Sequence, residues 1–231
     1  MRKSRLLSNG LLGLSVVLMF GALYLVFLCV PTEQSMGVVQ RIFYFHVPAA
    51  WAALLSYVVV FIASILYLWS RQSKWDVIAH SSAQVGLVFT TLFLITGSIW
   101  ARPIWGVWWT WDARLTTALI LWFIYVAYLM VRSYAAEEQR GARFAAVVGI
   151  VGFLDVPIIA LANTLWRVQH PGPVIFEGGL APPMFLTLMV CVATFTALYA
   201  LLLRLQVLIK RDENEIKQIE EIIWSNTSGG R

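Results

Sequence analysis

Residues 11–30 read LLGLSVVLMFGALYLVFLCV, an unbroken apolar run without a charged side chain. At about 1.5 Å per residue a helix over this run covers about 30 Å, the thickness of a bilayer's hydrocarbon core. Working outward, the run occupies 9–30, and further apolar runs follow at 48–69, 79–99, 115–131, 144–161 and 182–203. None alternates polar and apolar side chains as a barrel strand does. In hydrocarbon the backbone must satisfy its own N–H and C=O groups, so each run is expected to be a helix. The 231-residue chain is 60% hydrophobic and 13% charged, whereas soluble domains are about 45–50% apolar and about 25% charged. A soluble globular protein and a disordered chain are both excluded. The fold class expected is an all-α integral membrane protein with six transmembrane helices.

Arg2, Lys3 and Arg5 precede the first run, as in a secretory signal. The apolar stretch is too long for a signal core of about 7–15 residues, and no A-x-A site follows, so a retained helix is expected. Leu28 before Cys29 is too large for a lipidation box. Cys29 and Cys191 both lie inside apolar runs and form no CxxC motif. Placing the N-terminus in the cytoplasm leaves Arg41, Arg102, Arg114 and Arg167 outside and the other 13 of the 17 lysines and arginines inside. The positive-inside rule therefore places both termini in the cytoplasm.

Two regions are expected: a membrane domain over 1–203 and a cytoplasmic tail over 204–231. In the tail, Ile216, Ile219, Ile222 and Ile223 recur at helical spacing within KRDENEIKQIEEIIW. This predicts a short amphipathic helix that lies on the membrane surface or, as the alternative, docks a cytoplasmic partner, followed by a disordered SNTSGGR.

The outer connection between the third and fourth spans is unusual. It reads WARPIWGVWWTWDARLT over 100–116, and Trp100, Trp105, Trp108, Trp109 and Trp111 crowd into it. Tryptophan favours membrane interfaces, but a belt spreads over many helix ends. If the stretch from Trp105 is helical, Trp105, Trp108, Trp109 and Asp112 share a face. That face would be an aromatic shelf for a large, flat, apolar ligand. Arg102 and Arg114 flank it; arginine pairs well with carboxylates, although lipid phosphate or Asp112 could take either one.

His46, in FYFHVPAAW, and His170, in RVQHPGP, fall on the same outer side. Neutral imidazole is a standard axial ligand of haem iron. Arg41 and Arg167 lie near these histidines in sequence and could meet propionate groups. Haem is flat and apolar on both faces, carries two carboxylates and accepts two axial ligands, so the outer face supplies each matching element. His80 lies at the cytoplasmic start of the third span. Asp155, in FLDVPIIA, lies within the fifth span, which Pro157 is expected to kink.

Other chemistries fit less well. The phosphate-binding GxxxxGK[ST] and the zinc motif HExxH are absent. No catalytic residue is assigned, and no nucleic-acid partner is expected. A permease moving haem or another substrate is the alternative function; it needs ionisable residues in several spans. A structural subunit using its aromatics for docking is a third.

WGVWWTWDARLT at 105–116 resembles the tryptophan-rich WWD signature of haem-handling proteins. With six spans, HVPAAW at 46–51 and a histidine in the last outer loop, nearly the whole chain is similar to the cytochrome c maturation protein C (CcmC) family. Other WWD families, the CcmF and CcsA types, are usually larger, and the ARLT continuation favours CcmC. The resemblance implies a bacterial inner-membrane protein with its WWD segment on the periplasmic face. There it would hold haem b (iron protoporphyrin IX) and attach it to the haem chaperone CcmE for c-type cytochrome biogenesis. It implies CcmD and the ABC-type subunits CcmA and CcmB as partners, beside the lipid bilayer. His46 and His170 match the family's axial histidines. Trp105, Trp108, Trp109, Trp111 and Asp112 match its platform. His80 and Asp155 receive no role.

Overall fold

The computed structural model describes residues 2–135, 137–166, 170 and 179–228. Its described residues hold seven α-helices and no strand: α1 (Arg2–Tyr24), α2 (Phe43–Ser70), α3 (Ser73–Trp105), α4 (Ala113–Tyr134), α5 (Glu138–Phe153), α6 (Asp155–Leu165) and α7 (Pro182–Ser228). A π-helical turn, Leu25–Cys29, extends α1, and a 3-10 turn, Val38–Ile42, leads into α2. Six segments are long and apolar enough to cross a membrane: Arg5–Cys29, Val38–Ser70, Ser73–Trp105, Ala113–Tyr134, Glu138–Ala162 and Pro182–Trp224. These are the six spans expected from the apolar runs, each longer than the run itself.

The helix ends have local causes. α2 stops where Arg71 turns left-handed, with φ 57°, and its N–H donates to the Tyr67 carbonyl at 2.9 Å. Because α3 begins at Ser73, the two helices form an antiparallel hairpin, the most extensive helix pair in the molecule. Gly86 permits their close approach: a Cβ there would lie 2.0 Å from Ser56 Oγ. The Ser82 hydroxyl, 2.9 Å from the Ser56 carbonyl and 2.8 Å from the Tyr199 hydroxyl, ties α2, α3 and α7 together. Around this seam Tyr57, Phe89, Tyr125 and Tyr128 are buried.

The fifth span breaks at Leu154 into α5 and α6. Pro157 lacks an N–H, and its ring crowds the carbonyl of Phe153 four residues back, so the kink falls where the proline predicts it.

The tail differs from its expectation. α7 continues through 210–224 to Ser228 as one helix, about 70 Å long by its residue count. No glycine or proline interrupts residues 184–228, and the polar residues there are adequate helix formers. A separate surface helix therefore does not form, and Ser225–Ser228 are helical.

Alternation of the spans sorts the connections. One end of the bundle gathers the starts of α2, α4 and α7 and the ends of α3 and α6. The opposite, Lys/Arg-rich end carries the short connections after Ser70 and Tyr134. There Arg132 of α4 pairs with Asp76 of α3 at 2.8 Å, with side-chain exposures of 10% and 9%, and with Glu138 of α5 at 3.1 Å. Ser8 of α1 accepts from Arg204 Nε of α7 at 2.9 Å.

Candidate functional site

The tryptophan-rich stretch is built from a helix end, a loop and a helix start. α3 ends at Trp105, two residues after Pro103, which lacks a helical N–H. Gly106 follows in the left-handed region, φ 75°, and donates its N–H to the Arg102 carbonyl at 3.0 Å. The Arg102 guanidinium donates to the Gly106 carbonyl. Asp112 then caps α4: its carboxylate accepts the N–H groups of Arg114 and Leu115, each at 3.0 Å, and the Thr110 hydroxyl at 2.7 Å. The shared helical face expected for Trp105, Trp108, Trp109 and Asp112 is thus not formed. A glycine C-cap and an aspartate N-cap keep 106–112 out of helix, and the indoles are distributed by the loop.

His46 belongs to the first turns of α2, inside the span rather than before it, and is 6% exposed. Its ring lies 4.7 Å from the Phe93 ring and edge-on to Trp100 at 5.7 Å. Nδ1 is 3.1 Å from Thr96 Oγ1. Thr96 donates its one hydroxyl proton within α3, to the Leu92 carbonyl at 2.7 Å. With that donation kept, the hydroxyl accepts from His46 and Nδ1 carries the imidazole proton. That tautomer leaves the Nε2 lone pair as the metal-binding nitrogen. Gly97 makes room for the ring: a Cβ there would come within 2.9 Å of His46 Cε1.

Both histidines line one cavity of about 300 Å³. α3 contributes Trp100 and Trp105, the loop Trp109, α4 Arg114, and the turn before α2 Met36. The imidazoles are near enough for their charges to interact, and Arg114 acts on His46 in the same way. Met36 is delivered by a tight turn in which Glu33 accepts the N–H groups of Met36 and Ser35 and the Ser35 hydroxyl. The Met36 N–H, followed by the Ser35 donors, holds the Glu33 carboxyl below its ordinary range.

Of the residues singled out from the sequence, His46, His170, Trp105, Trp109 and Arg114 meet at this cavity. Trp108 and Trp111 are 58% and 75% exposed on the loop beside it, with Trp111 edge-on to Trp109 at 6.0 Å. Asp112 and Arg102 hold backbone. Arg41 lies outside the lining, 6.0 Å over the Phe27 ring. Arg167 falls outside the described residues. Sequence reasoning missed Met36, Thr96 and Gly97; the small and polar TGS at 96–98, inside an apolar run, was the available signal.

The arrangement suits a planar apolar molecule carrying a metal and carboxylates. Among the described residues no group of three or more His, Cys, Asp or Glu side chains could hold a bare ion. Two imidazoles are enough for an iron already ligated in a macrocycle's plane. The indole N–H groups of Trp100 and Trp109 are buried without a hydrogen-bond partner among the described residues. Such donors cost stability unless an acceptor arrives, and a carboxylate is one.

The chain as a whole is similar to known proteins. A family model described as "Heme exporter protein C" matches residues 1–220. Heme exporter protein C of Bradyrhizobium diazoefficiens is 38% identical over 175 residues, covering 74% of this chain and 66% of that protein. A putative cytochrome c biosynthesis ccmC-like mitochondrial protein of Marchantia polymorpha is 35% identical over 169 residues, 73% of this chain and 72% of its own. Heme exporter protein C of Haemophilus influenzae is 34% identical over 172 residues, 73% and 70% respectively. The chain thus spans about two thirds of the length of the curated relatives it matches.

Proposed function

The chain belongs to the CcmC, heme exporter protein C, family, and from that premise we infer that it handles haem for cytochrome c maturation as a membrane-embedded, non-enzymatic delivery subunit. The cargo is haem b, held on the periplasmic face of the inner membrane and passed to the chaperone CcmE. CcmD, CcmA and CcmB complete the assembly. The observation that carries this reading is the shared cavity: His46, His170, three indoles and Arg114 line one apolar space.

In this reading His46 and His170 would hold the iron through their imidazole nitrogens. Trp105 and Trp109 cover the porphyrin and keep water from it, and Arg114 takes a propionate. The cavity, at about 300 Å³, is at the small end of ligand sites. A porphyrin would need the mouth as well, beside the exposed Trp108 and Trp111, where a partner would meet it. The chain's own work is positioning rather than proton transfer.

The test is the visible spectrum of the purified full chain beside His46→Ala and His170→Ala. Each variant is expected to lose most of the haem absorbance and to hand less haem to the chaperone. Wild-type spectra from both variants would overturn the ligand assignment.

A further inference from the structure

A second cavity lies away from the haem-site residues, along α7 toward the Lys/Arg-rich end. Its volume is about 430 Å³. Thr196, Ala200, Leu203 and Val207 of α7 line it at three- and four-residue spacing, with Leu208 beside Val207, so they form one continuous helix face. Leu55 of α2 and Ile78 of α3 supply the facing wall. The same face of α7 carries Arg204 and Arg211, seven residues or about 10 Å apart along the helix. No acidic side chain is among the lining residues.

The two parts of this groove ask for different chemistries. The apolar part begins near the middle of α2 and of the apolar run 182–203, at hydrocarbon depth. The basic part begins at Arg204, the first charged residue after that run, where headgroup phosphates lie. Ser8 of α1, accepting from Arg204 Nε at 2.9 Å, fixes the guanidinium in place. Arginine's planar fork matches phosphate oxygens, and basic pockets beside spans attract anionic headgroups. The geometry points to a binding site for one anionic glycerophospholipid, its phosphate between Arg204 and Arg211 and an acyl chain lying along α7 against Leu55 and Ile78. A zwitterionic lipid carries a compensating ammonium and gains less from two guanidinium groups. A partner helix would find the mouth basic on one side and open to hydrocarbon on the other.

The test uses the full chain, stripped of lipid in detergent and titrated with phosphatidylglycerol or phosphatidylcholine, with retained lipid counted by native mass spectrometry. The wild type is expected to retain one phosphatidylglycerol in clear preference to phosphatidylcholine. Arg211→Gln changes an exposed side chain and should weaken phosphatidylglycerol binding about 5-fold. Leu208→Trp, which fills the groove, should abolish it. Lys217→Gln, on the same helix but off the lining face, should bind as the wild type does. Circular dichroism and the melting temperature check that each variant folds; should Leu208→Trp fail, Arg211→Gln alone decides. Equal retention of the two lipids, an unchanged Arg211→Gln, or an equal loss in Lys217→Gln would overturn the site. So would a groove that takes a polypeptide or added haem and excludes phosphatidylglycerol.

Discussion

With its hydroxyl proton given to the Leu92 carbonyl, Thr96 accepts from His46 Nδ1. One side chain on α3 thereby selects the tautomer of an imidazole on α2. Removing such a partner from a metal-binding histidine typically costs about 10–100-fold in affinity. Thr96→Val is expected to fall in that range for haem retention, with the helical content unchanged, and Thr96→Ser to restore binding. Haem titration followed at the Soret band measures both; a Val variant that binds like the wild type would remove the positioning role. Gly97→Ala attacks the same ring sterically, since its Cβ would stand 2.9 Å from Cε1. It should perturb the haem spectrum while leaving the chain membrane-inserted and monodisperse. His46 and His170 were legible in the sequence because histidine is rare in this chain and its chemistry is narrow. Thr96 and Gly97 were not, because their value depends on a ring 50 and 51 positions away along the chain, which no local spacing encodes.

Between α3 and α4 the chain leaves the helix for 106–112, and this divides the tryptophans by role. Trp105 and Trp109 face the cavity, whereas Trp108 and Trp111 are exposed beside it. Alanine at Trp105 or Trp109 should lower haem retention. Alanine at Trp108 or Trp111 should leave retention within about twofold of wild type and reduce transfer to the chaperone. Parallel measurements of bound haem and of haem-loaded chaperone separate the two classes; equal retention losses at all four positions would return the indoles to a single shelf. Asp112 acts one level lower, as the N-cap of α4. Asp112→Ala should cost about 1 kcal/mol, or about 2–4 °C in melting temperature for a chain of this size, whether or not haem is present. The expectation of one helical aromatic face failed here because it counted indole spacing and passed over two local stop signals, Gly106 and Asp112. In the tail the helix expected over 210–224 is present, but helix propensity carries α7 into it without a break, a continuity that the change in composition concealed.

Across the whole molecule the six spans were readable because hydrocarbon thickness sets a length that apolar runs must meet. The pairing of those spans was not, since it rests on small contacts such as Gly86 against Ser56. The ion pair of Asp76 and Arg132, nearly buried where α3 meets α4, belongs to the Lys/Arg-rich end. Breaking such a pair by removing one partner typically costs about 3–5 kcal/mol. Asp76→Ala should therefore destabilise the bundle strongly, and a double variant with Arg132→Leu should recover part of the loss, as thermal unfolding in detergent would record. The distribution of polar groups also bears on whether the molecule carries haem across the bilayer or presents it at one face. The cavity with both histidines sits at the tryptophan-bearing end. At the other end the buried charges are engaged with each other, and Asp155 begins α6 within the fifth span. A carrier needs a sequence of polar sites joining the two faces; a presenting subunit needs one site open to one side. Sealed vesicles holding this chain should accordingly bind haem at their surface up to about one molecule per chain, as one cavity lined by both histidines allows. If His46 and His170, which line one cavity, are the ligands, that binding should be abolished in the His46→Ala, His170→Ala double variant, with no haem delivered to a reporter trapped inside. Delivery to the trapped reporter that requires the chain would identify a permease, and the single-face site would then be one station on a longer path.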